Sequence, residues 1–126
     1  MTTVTPEEIA EFRSELANYP EKSLKEKALK ELEVLERCNG NLEGATRVLA
    51  RRAQESVLQG DSSVEKIREF LCQPKITEQL AKAQKPLEVF SQVAAFTPPP
   101  FPQAIATLML LKMGVENFCN LDESNT

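Results

Sequence analysis

Leu35-Glu36-Arg37-Cys38-Asn39-Gly40-Asn41-Leu42-Glu43-Gly44-Ala45 decides the fold class of this chain. An apolar helical stripe stops at Asn39-Gly40, where glycine suits the left-handed position just past a helix end. Asn41 is then a good N-cap, because its side chain can accept a backbone N–H that the first helical turn leaves unpaired. Leu42, Ala45, Leu49 and Ala53 follow at helical spacing. Asn-Gly is also a strong hairpin signal, but here helical patterns flank it on both sides. The reading is two helices joined by a tight corner.

Upstream, Ser23-Leu24-Lys25-Glu26 has the form of a capping box and predicts a helix from there to about Cys38. Leu24, Ala28, Leu32 and Leu35 form its stripe, widened by Leu29. Thr5-Pro6-Glu7-Glu8 opens an earlier helix carrying Ile9, Phe12, Leu16 and Tyr19, which Pro20 ends. Downstream, the third helix is expected to end by Gly60, and Asp61-Ser62-Ser63 to cap a fourth with Val64, Ile67 and Leu71, closed by Pro74. Ile76–Gln84 reads as a short fifth helix, and Pro86 opens a sixth with Leu87, Phe90, Val93 and Ala94. Pro98-Pro99-Pro100 must be extended, since each proline disfavours helical geometry in its predecessor. Pro102 then opens Ala104–Met113, apolar on nearly every side and ended by Gly114. No segment sustains strand alternation. The expectation is an all-α, single compact bundle of six to seven helices over residues 1–121, with the Pro98–Pro100 connector before the last apolar helix and a mobile polar tail, 122–126.

The corner resembles the one shared by ubiquitin-associated-type domains and Fis-type DNA-binding domains. In both, a helix ends in a Gly-Asn turn and the next helix carries Ala and Leu into a three-helix core. The resemblance covers residues 24–53 and implies a packed helix–turn–helix unit. In place of the Met-Gly-Phe-like loop of the first family stands Asn18-Tyr19-Pro20-Glu21-Lys22. At the tight turn of the second stand Ala50 and Arg51, continuing one helix. The resemblance therefore implies a structural corner more than ubiquitin or DNA recognition.

Composition narrows the chemistry. The 126 residues contain no histidine, which removes the usual general base and the commonest metal ligand. Cys38, Cys72 and Cys119 are odd in number and lack Cys-x-x-Cys spacing, so buried free thiols and a cytoplasmic setting are expected. No catalytic, metal or cofactor residues are assigned, and the chain reads as non-enzymatic. No apolar run approaches the ~20 residues of a membrane span. The net charge of −4 leaves no broad basic face for nucleic acid.

What remains is docking surface. Arg47 and Arg51 lie one turn apart with Arg52 beside them, suited to bidentate contacts with an acidic partner or phosphate, or else simply solvated. Pro99-Pro100-Phe101-Pro102 fits a P-x-x-P ligand, or a rigid connector. The 104–113 helix, with Met109 and Met113, reads as core or as a homodimer surface. The preferred function is a helical protein-interaction or regulatory domain. A nucleic-acid-binding protein using the 42–56 helix is the first alternative, and an enzyme or small-ligand carrier with an apolar pocket the second.

Overall fold

Thr5 caps α1 (Pro6–Leu16) as its sequence demands: the Glu8 amide donates to Thr5 Oγ1 at 3.1 Å, and the Thr5 amide donates back to Glu8 Oε1 at 2.8 Å. The computed structural model describes residues 2–53, 63–83, 85–97 and 101–124. Among them are eight helices and no β-strand. The fold is all-α, one helix beyond the six to seven expected. α2 (Lys22–Arg37) starts earlier than its apparent capping box. Ser23 lies inside its first turn, and Glu21 takes the cap position without a side-chain bond. Glu21, Lys22 and Ser23 are exposed, so water can serve these amides and no box is needed.

At the corner, Asn39 (φ 57°) and Gly40 (φ 80°) both turn left-handed, and the Gly40 amide closes α2 on the Leu35 carbonyl at 2.9 Å. Asn41 Oδ1 then accepts from the Gly44 amide at 3.0 Å, capping α3 (Leu42–Ala53). The N-terminal segment runs over this corner. The Val4 amide donates to the Gly40 carbonyl and the Leu42 amide to the Thr2 carbonyl, each at 2.9 Å, around a Thr3–Asn41 antiparallel bridge. A Cβ on Gly40 would collide with the Val4 carbonyl oxygen, a backbone atom that cannot rotate away. Gly40→Ala is expected to cost about 3 kcal/mol through this clash and the positive φ. Hydrogen exchange should show the Val4 and Leu42 amides losing protection first, and an unchanged melting curve would contradict the arrangement.

After the corner come α4 (Ser63–Leu71), α5 (Pro74–Lys82), α6 (Pro86–Phe96), α7 (Gln103–Met113) and α8 (Val115–Ser124). Pro74 opens α5 rather than merely closing α4, since its missing N–H costs nothing in a first turn. Gly114 (φ 86°) joins α7 to α8, and the helix then runs through Asp122 to Ser124, segments read from sequence as a polar end. Fully buried Phe118 anchors α8. Asp61, Ser62 and Pro98–Pro100 lie outside the described residues.

α7 occupies the centre, packed against α2, α3, α6 and α8, and its residues from Gln103 to Leu110 are all buried. An apolar helix in this position gains its stability from burial on every side rather than from one face. α1 packs on α2 and α6, and α5 bridges α6 and α8. No described helix is long and apolar enough to cross a membrane.

The expectation of three free thiols is corrected. Cys72, just past α4, and Cys119 on α8 form a disulfide with their Cα atoms 5.6 Å apart, leaving Cys38 as the free cysteine, half-buried. Their separation of 47 residues hid the pairing in the sequence. The α5–α8 and α7–α8 packing brings them together, with Arg68 Nε donating to the Phe118 carbonyl at 3.0 Å beside them.

Candidate docking surface

α3 meets the core through Leu42, Ala45 and Thr46, all fully buried. Helical geometry then fixes where its arginines go. Residues 47 and 51 fall on the opposite side of the wheel, and both are exposed. Arg52, also exposed, lies on the flank. None of the three makes an ion pair or hydrogen bond among the described residues. The basic groups that do pair are elsewhere. Arg13 forks onto Glu36 at 2.9 and 3.1 Å, and Lys112 holds Glu8 at 3.0 and 3.1 Å. The Thr5 amide, then Lys112, hold the Glu8 carboxyl below its ordinary range, and the Arg13 bond does the same for Glu36.

Arg52 borders a surface groove of about 460 Å³ between α2, α3 and Pro102, floored by Val34 and Leu49. Lys27, Lys30 and two acids, Glu26 and Glu31, share its walls. A second groove, about 720 Å³, runs between α1 and α7. Phe12, Leu108 and Leu111 line its apolar part, and Glu8, Glu11 and Glu15 its acidic edge.

The other sequence-derived candidates, Met113 apart, are buried. Phe101 is buried and meets Phe70 edge-on, with ring centroids 5.0 Å apart. Pro102 is buried as well, so the described half of the P-x-x-P stretch is part of the core. Met109 is 1% exposed and Met113 half-buried, so the helix is core as far as Leu110, while Leu111 and Lys112 reach the surface. No group of three Cys, Asp or Glu side chains among the described residues is placed to hold a metal.

The polar cluster that sequence reading missed is under α7. Its first amides are buried, its preceding residue is a proline, and no water can reach them. Glu31 of α2 supplies the acceptor in trans: the Ala104 amide donates to its Oε1 at 2.7 Å and the Ile105 amide at 3.3 Å. Lys27 Nζ donates to Glu31 Oε2 at 2.7 Å, to the Phe101 carbonyl at 2.6 Å and to Gln103 Oε1 at 3.3 Å. Gln103 Nε2 in turn reaches Thr97 Oγ1 at 3.2 Å. Burial pushes the Glu31 carboxyl above its ordinary pKa, against the pull of Lys27 and the two amides. The signal was present in the sequence, since Glu31 occupies the stripe position between Ala28 and Leu35 that an apolar residue would normally fill. Every buried described side-chain N or O has a partner, so this cluster organises structure and offers no unsatisfied group to a ligand.

An α-helical domain whose exposed α3 arginines meet no acid among the described residues is what fold and surface together define. No protein-family model matches the chain, nor does any curated protein or solved structure.

Proposed function

We propose that the chain is a non-enzymatic helical docking domain that engages an acidic partner through Arg47, Arg51 and Arg52 on the solvent side of α3. One observation carries this reading: in a chain with 19 acids and 15 bases, these three exposed arginines have no ion-pair or hydrogen-bond partner among the described residues. Guanidinium forks left unpaired keep both N–H edges for carboxylates of another molecule. The α3 backbone presents Arg47 and Arg51 one turn apart, the spacing of an acid pair on a partner helix. The disulfide favours an oxidising compartment over the cytoplasm as the working place.

A photo-reactive residue at position 48, beside the arginines, should cross-link one discrete partner in the native cell. The adduct should disappear in an Arg47→Glu, Arg51→Glu background, and a probe at exposed Glu78 on α5 should give none. Equal labelling from both positions would overturn the proposal. A polyanionic partner is favoured by the same three cations, and it makes a separate demand. Retention on duplex DNA at ~50 mM salt, falling steeply as salt rises, would assign α3 to nucleic acid.

A further inference from the structure

We infer that the acidic partner of the α3 arginines is a second copy of this chain, received in the groove between α1 and α7. This inference rests on the arginine-edge reading above and names its occupant.

The chain carries both halves of the contact. Glu11 and Glu15 are exposed on α1, four residues apart, and pair with nothing among the described residues. Arg47 and Arg51 are exposed on α3 at the same interval and likewise unpaired. Four helical residues rise about 6 Å, so two arginines on one helix match two carboxylates on the other in either direction. Between the charged rows each surface offers something apolar. On the groove side Leu111 is 41% exposed, just past the buried stretch Gln103–Leu110 of α7. On the α3 side, half-buried Val48 and Gly44 adjoin the arginines, so the helix can come close. Lys112 does not repel the incoming arginines strongly, because it is already held by Glu8.

The inferred contact is head-to-tail, with one copy's α3 filling the α1–α7 groove of the next. Exposed charge pairs are individually weak. The association is therefore modest and salt-sensitive, with Leu111 supplying the apolar contact.

Sedimentation equilibrium on the whole oxidised chain tests this with five samples. At low salt the wild type should grow in mass with concentration, and it should revert to monomer at ~500 mM salt, where screening is short-ranged. Arg47→Glu with Arg51→Glu should be monomeric, and so should Glu11→Lys with Glu15→Lys. Mixed together, the two variants should regain growth in mass as an alternating 1:1 assembly, since every α3 then meets an α1 of opposite charge on the other variant. Leu111→Ser should weaken wild-type association about tenfold, equivalent to about 1.4 kcal/mol. A wild type monomeric throughout, or a mixture that stays monomeric, overturns the inference. If the position-48 cross-link still captures a different protein, the arginine edge survives as a docking surface with another occupant. If that cross-link is also absent, both readings fall.

Discussion

Reducing the Cys72–Cys119 disulfide, or replacing both cysteines with serine, lowers the unfolding free energy by about 4 kcal/mol and the melting temperature by about 15 °C. The size follows from chain entropy. The bridge closes a loop of 47 residues in the unfolded state, and a longer closed loop removes more of that state's freedom. The native side changes little, because Phe118 and the Arg68 contacts still hold α8 when the thiols are free. Differential scanning calorimetry with and without a dithiol reductant measures the shift. Thiol titration of the unfolded, non-reduced protein should count one group, Cys38. Three thiols and no shift would remove the bridge from the native fold.

Glu31→Ala is expected to lose about 3 kcal/mol, at the lower end for breaking a buried ion pair. Lys27 remains about a third exposed and can recover water, which limits the loss. The Ala104 and Ile105 amides have no such recourse, being buried at the start of the central helix. Glu31→Gln should cost less, since an amide oxygen still accepts from them. Its pH dependence has a definite sign. A carboxyl whose folded pKa lies above its unfolded value of 4.5 adds most stability below 4.5 and loses it as pH rises through the folded value. The wild type's advantage over Glu31→Gln therefore shrinks as pH rises. Urea titrations of the three proteins across that range resolve both effects, and an Ala variant as stable as wild type would contradict the cap in trans.

The local parts of this fold were legible because they are set by near neighbours. Thr5 and Glu8 lie three residues apart, as do Asn41 and Gly44, and each pair forms its cap. The all-round apolar character of 104–113 allowed either a core helix or a homodimer surface, and Met109 at 1% exposure is core. What could not be read depends on contacts across the chain. The disulfide spans 47 residues, and the Glu31–Ala104 bond spans 73. Ser23 misled for the opposite reason. Its capping pattern is sound, but an exposed helix start leaves solvent to satisfy the same amides. The arginine edge was visible as a spacing. Only the fold shows that no acid among the described residues comes to meet it.

The strap formed by residues 2–5 has a consequence for the order in which the protein assembles. Its hydrogen-bonding partners are the Gly40 carbonyl, the Leu42 amide and the Glu43 carboxylate, about 40 residues farther along. A ribosome making this chain delivers the strap long before the corner that receives it exists. Residues 2–5 must wait, unpaired, until α2 has turned and α3 has begun. Closure of the strap thus reports completion of the corner, and its amides are natural probes for timing that step during synthesis.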